Sequence, residues 1–303
     1  MTESLECARF NHIHNSAITV LKGTDAISIL DRLVTTSLQG LKNLDRIQTL
    51  FCDANGRIED FSTIIPIEGQ ILMTSHPQTS EQTRKKIIEG TSWDEDCTVY
   101  IGDGAIVHLS LVGPKNDDLS GLFVDVESLS ESSVSEFGDI LISKSEYNGQ
   151  YVVDFLIPKN EIEEISSKLK DFGSMQKPID YWEYFRISNG MPSINDARGN
   201  LPSELGLSSL VSIGKGCYPG QEVHARLDSR GSKVRSMIRM ISDEEISPGT
   251  YKSPEVGNIK ITSNVHNNGE YASLAMCRIF EDDRLETSLI DGTRVTLENL
   301  PFD

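Results

Sequence analysis

Two Asn-Gly dipeptides, Asn55-Gly56 and Asn148-Gly149, constrain the fold of this chain more than any other feature. Each stands between segments rich in apolar and β-branched residues, and Asn-Gly supplies the positive φ angles that a tight hairpin needs. IQTLFCD and RIEDFSTIIPI flank the first pair; residues 139–144 and 151–157 flank the second. Antiparallel pairing is thus written into the chain twice. Between and around the hairpins the apolar period changes to helical. Ala26, Ile29, Leu30, Leu33, Val34 and Leu38 predict a helix over 25–38, with Thr24 or Asp25 as N-cap and Gly40 as stop. Thr79 with Gln82 reads as a capping box opening a helix that runs to Ile88. Asn160 caps a helix carrying Ile162, Ile165 and Leu169 and closed by Gly173, and 179–188 forms another with Trp182, Phe185 and Arg186. Further strands are expected at 71–75, 97–102 and 105–112, the last ended by Gly113-Pro114. The Ser- and acid-rich stretch 115–138 reads as a surface helix or long loop. Hairpins alternating with helices predict an α+β fold, with helices on one face of antiparallel sheets. After residue 235 only strands are expected, near 236–241, 256–262, 270–280 and 293–299, making a small all-β barrel or sandwich. The domain division is therefore 1–235 and 236–303.

Length and composition narrow the class. A chain of 303 residues with 38 % AVILMFWYC has enough apolar material for a core and suggests about two domains. No apolar run approaches the roughly 18 residues of a membrane span, and the start MTESLECARFNH has no apolar signal region. Five widely spaced cysteines without a CxxC pair fit neither a disulfide scaffold nor a zinc site. A reducing compartment, the cytoplasm, is the expectation, with no metal and no membrane partner. The net charge is −18, which repels nucleic acid unless cations are gathered. They are gathered at 213–240, where Lys215, Arg226, Arg230, Lys233, Arg235 and Arg239 face only Glu222 and Asp228. That segment carries +4 and the rest of the chain −22.

The same segment holds Gly214-Lys215-Gly216-Cys217-Tyr218-Pro219-Gly220-Gln221-Glu222. Gly216 and Gly220 allow two sharp turns, and Pro219 fixes one of them or opens a helix at Gln221. Glu222 and Arg226 then form an i,i+4 pair. Cys217 lies between a lysine and a helix N-terminus, both of which favour thiolate if the sulfur is accessible. A phosphate loop is excluded, since GxxxxGK[ST] is absent.

Lys215-Gly216-Cys217-Tyr218-x-Gly220-Gln221-Glu222 resembles the KGCYxGQE signature of YgfZ-type folate-binding proteins, relatives of the glycine-cleavage T protein, GcvT. Phe185-Arg186-Ile187-Ser188-Asn189-Gly190-Met191-Pro192 is similar to that family's LRIxxGxP element, Pro202-Ser203-Glu204 to its P-x-E segment, and Ala225-Arg226, Gly231 and Arg235 to its AR…G…R run. Near the start, Gly23-Thr24-Asp25-Ala26 with Leu30 and Thr36 resembles GxDAxxFLxxxxT, and Asp53-Ala54-Asn55-Gly56-Arg57 resembles DxxGR. The resemblance implies a cloverleaf of α+β modules around a hole for a reduced folate, tetrahydrofolate or a derivative, with a C-terminal β-barrel. It implies a role with iron–sulfur proteins or their assembly factors, including enzymes that thiolate tRNA. Cys217 is then the functional thiol and Lys215 its electrostatic partner. Tyr218, Gln221, Glu222, Arg226, Arg235, Arg186 and Arg57 are the further candidates for the folate site, the arginines suiting a carboxylate tail. Tyr218 either stacks on a pterin or packs, and Arg57 either binds or is simply solvated.

Two departures from the T proteins bear on function. Ser188 stands where those enzymes carry a glutamate that grips the pterin, and a hydroxyl does not offer a bidentate acceptor pair. Glu59-Asp60 stands where they carry an acidic pair, so Asp60 either polarises a substrate or is the polar edge of a strand. The expected function is a folate-binding auxiliary protein of iron–sulfur assembly or repair, acting as a monomer. The alternatives are an aminomethyltransferase using Asp60 and, against the charge balance, a direct tRNA-binding module. His12 and His14 share one strand face but find no third ligand in the sequence, and His224 is separated from Cys217 by helix. Trp182 and Phe185 read as core.

Overall fold

A computed structural model describes residues 9–114, 129–231 and 233–300. Its strands are β1 (Phe10–His14), β2 (Ala17–Lys22), β3 (Ile47–Cys52), β4 (Ile58–Ile67), β5 (Gln70–Ser75), β6 (Thr98–Ile101), β7 (Ile106–Pro114), β8 (Ser135–Phe137), β9 (Ile140–Tyr147), β10 (Gln150–Pro158), β11 (Met175–Gln176), β12 (Arg235–Ser242), β13 (Gly249–Ser253), β14 (Gly257–Asn267), β15 (Glu270–Arg278), β16 (Arg284–Ser288) and β17 (Arg294–Asn299). The helices among these residues are α1 (Ala26–Leu33), α2 (Ser80–Glu89), α3 (Ile162–Asp171), α4 (Ile179–Ser188), α5 (Ile194–Ala197) and α6 (Gln221–Arg230). Most of the 115–138 stretch lies outside the described residues; its end contributes β8.

Three sheets organise the molecule. The first, ordered β3-β4-β5-β2-β6, is antiparallel, and Ile29 and Leu30 of α1 with Ile87 of α2 cover one face over Phe51, Ile64 and Met73. The second, β11-β1-β7-β10-β9-β8, is antiparallel except for the β1–β11 pair. Ile165 and Leu169 of α3 fill one of its faces, and Tyr181 and Phe185 of α4 pack on Phe10, Val112 and Val152. The free face of the first sheet meets the second through Ile18, Ile65 and Leu72 against Leu141 and Leu156. The third sheet, β13-β14-β15-β12-β17-β16, is antiparallel and curled. Strand alternation divides its side chains between two cores. Ile238, Met240, Ala275 and Cys277 point into its interior, whereas Met237, Leu274 and Met276 pack on Ile187, Ala197, Leu205 and Leu50. Its edges approach where Ser253 and Thr287 hydroxyls meet at 2.8 Å and Ile290 N–H donates to Lys252 at 2.9 Å.

The local signals translate with physical exceptions. At Asn148-Gly149 both residues have left-handed φ, +46° and +82°, as a two-residue hairpin turn requires. At Asn55-Gly56 only Gly56 does, at +73°, because the Asp53 carboxylate accepts the N–H groups of Asn55 and Arg57 and builds a longer turn. The first helix ends at Leu33, well before Gly40. Val34 is extended there, the Thr35 N–H donates to Leu50, and Thr35 and Thr36 hydroxyls donate to Leu210, so the chain is drawn onto β3. Thr79 does not cap α2 with its side chain; that hydroxyl donates to Asp60 instead. Glu161, not Asn160, occupies the N-cap of α3. The strands β13 and β16 carry no pattern that the sequence reading detected.

Two connections bind the sheets into one unit. Asp196 at the end of α5 is fully buried and accepts from Arg186 Nη1 at 2.9 Å, Ser193 Oγ at 2.7 Å, Thr262 Oγ1 at 2.5 Å and Ser263 Oγ at 2.6 Å. Arg186 also reaches Glu183 and Ser263, so α4, α5 and β14 share one charged knot. The second connection is backbone against backbone. A Cβ on Gly220, at the start of α6, would stand 2.3 Å from the Gly56 Cα. A Cβ on Gly56 would stand 2.7 Å from His224 Nε2, which donates to the Gly56 carbonyl at 2.8 Å.

Asp196→Ala takes from the buried Arg186 guanidinium its fully buried acceptor and leaves the Ser193, Thr262 and Ser263 hydroxyls without theirs, and the expected loss is about 3–5 kcal/mol in urea unfolding. Gly220→Ala combines φ +84° with a backbone clash and should cost on the order of 2–4 kcal/mol in the same measurement. Gly216→Ala, at φ +113° with open space around it, pays only the backbone strain of about 1–2 kcal/mol.

Candidate functional site

The segment 207–220 is laid along the exit of α1 by a dense set of polar contacts. Leu210 O accepts both threonine hydroxyls at 2.7 Å, Ser212 N–H donates to Thr35 at 2.9 Å, and Ser37 N–H donates to Ser212 Oγ at 3.1 Å. Lys215 completes the clamp. Its ammonium donates to Thr36 O at 2.7 Å, Val34 O at 2.9 Å and Asp31 Oδ1 at 3.2 Å, and its side chain is 1 % exposed. Burial lowers the Lys215 pKa from its ordinary value, against the opposing hydrogen bond and charge of Asp31. The lysine is therefore a pin between loop and helix, its ammonium engaged by Asp31 and two carbonyls instead of being turned to Cys217.

Tyr218 turns inward. It is buried, its hydroxyl meets His224 Nδ1 at 3.3 Å, and burial pushes its phenol up to about 12. Of the two readings for this ring, packing is the one the geometry supports. Gln221 makes a long contact from Nε2 to Ile213 O at 3.5 Å. Between these inward residues and the left-handed Gly216, Cys217 remains exposed. Cys52 and Cys277 are buried with thiols pushed up to about 12, and Cys97 is half-buried. Among the described cysteines Cys217 alone is presented to solvent.

The other sequence candidates separate. Asp60 is fully buried between β4 and α2, where Thr79 and Thr83 hydroxyls donate to its two oxygens at 2.6 and 2.5 Å. Burial raises its pKa, with those hydrogen bonds opposing. It ties a strand to a helix, and of the two readings for this carboxylate the geometry favours the structural one. Glu59, its neighbour on the strand, pairs with Lys86. Arg186 belongs to the Asp196 knot, and Arg235 is held by Glu204 at 2.6 Å and Asn200 at 3.1 Å. Arg186 is buried in its knot, whereas the Arg235 side chain keeps 37 % exposure beside Glu204. Arg239 pairs with Glu298. The +4 segment is thus answered by acids from distant parts of the chain. Arg226 and Glu222 are both exposed and form no ion pair with each other, so the expected i,i+4 bridge is absent. Arg57 is exposed and donates to Gly199 O at 2.6 Å.

Beside the loop lies a cleft of about 270 Å³. Val211, Ile213 and Leu227 give it apolar walls, while Ser203, Ser208, His224, Asp228 and Lys233 bring polar groups to it. This mixture suits a flat heteroaromatic ring with a hydrogen-bonding edge, at the small end of ligand-site sizes. The sequence reading did not single out Ser203, Ser208 or Val211 as lining a site, because the loop and helix that bring them together carry no periodic signal. No helix among the described residues is long and apolar enough to cross a membrane.

No family model matches the chain. It is 25 % identical over 253 residues to the tRNA-modifying protein YgfZ of Vibrio atlanticus, covering 79 % of this chain and 71 % of that protein. It is 23 % identical over 229 residues to an aminomethyltransferase of Caldanaerobacter subterraneus, covering 71 % of this chain but only 61 % of the enzyme. The crystal structure of the glycine cleavage system aminomethyltransferase T from Bartonella henselae superposes with a TM-score of 0.81, covering 99 % of this chain and 87 % of that one at 15 % identity. The chain is thus similar in sequence both to YgfZ-type tRNA-modifying proteins and to aminomethyltransferases, and it shares the fold of the glycine-cleavage T protein.

Proposed function

We propose that this chain is a reduced-folate-binding auxiliary protein for the assembly or repair of iron–sulfur proteins, tRNA-modifying enzymes among them. The observation that carries this reading is the presentation of Cys217. Lys215, Tyr218, His224 and Gly220 are all spent on holding the loop, and Cys217 is the one exposed cysteine among the described residues. An exposed sulfur on a well-anchored loop is suited to a cluster, a client thiol or a one-carbon unit, and it persists as a thiol in a reducing compartment such as the cytoplasm. We assign a reduced folate to the neighbouring cleft, whose serines supply polar contacts to the ring and whose apolar walls exclude water from its faces. Aminomethyl transfer is the weaker reading, since Asp60 is closed inside the first domain and Ser188 lacks a carboxylate. Direct binding of tRNA is weaker still, because three of the six cations of the basic segment are paired internally.

Calorimetric titration with tetrahydrofolate and 5-formyl-tetrahydrofolate tests the first half of the proposal. Binding is expected in the unsubstituted chain and in Cys217→Ala, and at least about tenfold weaker in Leu227→Trp, which fills the cleft. In cells, Cys217→Ala should then fail to restore iron–sulfur enzyme activities that the unsubstituted chain restores. Absence of folate binding, full restoration by Cys217→Ala, or tetrahydrofolate-dependent ammonia release from an aminomethyl-lipoyl carrier would each overturn it.

A further inference from the structure

The second sheet brings together three side chains that are far apart in the sequence. His14 on β1 stands directly opposite His108 on β7, and Ser110 on β7 stands opposite Asp154 on β10. One donor atom from each of His14, His108 and Asp154 lies within 4.8 Å of the other two. His108 Nε2 and Asp154 Oδ1 are 3.3 Å apart. That separation is close to the edge of a tetrahedron whose ligands sit about 2.1 Å from a zinc ion.

The outer contacts resemble those around bound metals, where a second hydrogen bond orients each ligand. Ser16 Oγ holds His108 Nδ1 at 2.8 Å. Ser110 Oγ meets His14 Nε2 at 2.7 Å and donates to Asp154 Oδ1 at 2.5 Å. Because that hydroxyl has a single proton, given to the carboxylate, His14 donates from Nε2 and keeps a lone pair on Nδ1. Arg46 holds the second carboxylate oxygen of Asp154 at 3.5 Å. Trp182 lies edge-on to His14, with ring centroids 4.6 Å apart, and limits its rotation. The charge states agree with a ligating role. Burial, then the nearby His108, depresses the His14 pKa and favours the neutral ring. For Asp154 burial works against ionisation, but the His108 contact, Arg46 and the Ser110 hydroxyl outweigh it and hold the carboxyl below its usual range. His108 and Asp154 keep side-chain exposures of 20 % and 18 %, enough for an ion and its water to enter.

We propose that His14, His108 and Asp154 form a binding site for a divalent transition metal of the zinc class. Two imidazoles and one carboxylate suit such an ion better than calcium or magnesium, which take oxygen ligands. The cation takes the place of the proton shared by His108 Nε2 and Asp154; the Nε2 proton shifts to Nδ1, and the rotatable Ser16 hydroxyl turns from donor to acceptor. The Arg46 charge weakens the site but cannot bind the oxygen that faces His108.

The test uses the full chain carrying Cys217→Ser, so that the exposed thiol cannot hold metal. After stripping with a chelator, loading with Zn²⁺ and desalting, one zinc per chain is expected, and Co²⁺ should give the visible absorption of a nitrogen–oxygen site. His108→Gln and Asp154→Asn should each weaken Zn²⁺ by about 100-fold or more, and Ser16→Ala by about tenfold. His266→Gln, on the third sheet, should bind as the parent does. Because a ligand variant can misfold, the parent is also followed by NMR, where Zn²⁺ should shift the ring resonances of His14 and His108. Failure of the folded parent to retain zinc, equal binding in folded ligand variants, or shifts confined to other histidines would overturn the proposal.

Discussion

The site rests on the contact between two glycines. Gly220 and Gly56 approach so closely that neither tolerates a Cβ, and this lets the start of α6 sit on the turn of the β3–β4 hairpin. His224, one turn into that helix, then reaches the Gly56 carbonyl, and Tyr218 reaches His224. The order of these contacts determines what Cys217 can do. Once Tyr218 is drawn inward and Lys215 is anchored on the far side, the residue between them has only solvent to face. The exposure of Cys217 is a consequence of the packing around it.

Most elements were legible because their signals are local. Helical spacing in 179–188 and strand alternation after residue 235 are properties of adjacent residues, and tertiary packing reinforced both. Boundaries failed where a side chain had a better offer from elsewhere. Thr79 caps in principle, yet a buried carboxylate 19 residues away takes its hydroxyl. The stop of α1 at Leu33 likewise reflects Leu50 and Leu210, which no local rule can see. Two hairpins escaped attention for different reasons. Asn268-Gly269 has the favoured sequence and left-handed φ angles, whereas Glu68-Gly69 reaches the same conformation with a residue that is no turn signal.

Function was legible in its motif and misleading in its charges. Summing charge over 213–240 treats neighbours in sequence as neighbours in space. The acids that answer Lys215, Arg235 and Arg239 come from residues 31, 204 and 298. The same limitation worked in the opposite direction for His14. Its third partner was absent from any nearby stretch because β1 pairs with β7, and β7 with β10, across intervals of more than forty residues. Ligands that converge across a sheet leave no spacing to read.

These pairings change how an anionic ligand has to be recognised. In a chain of net charge −18 whose basic segment is largely neutralised, long-range attraction offers little, and salt would screen what remains within about 8–10 Å. For the ligand proposed above, selectivity then has to come from short-range fit: apolar walls that cover a ring and hydroxyls that read its edge. Such a site discriminates through desolvated hydrogen bonds, whose loss leaves buried groups unpaired, more than through field strength. A net charge of −18 disfavours the carboxylate tail of the folate proposed above just as it disfavours RNA, so on that reading the contacts to the ring have to carry the affinity.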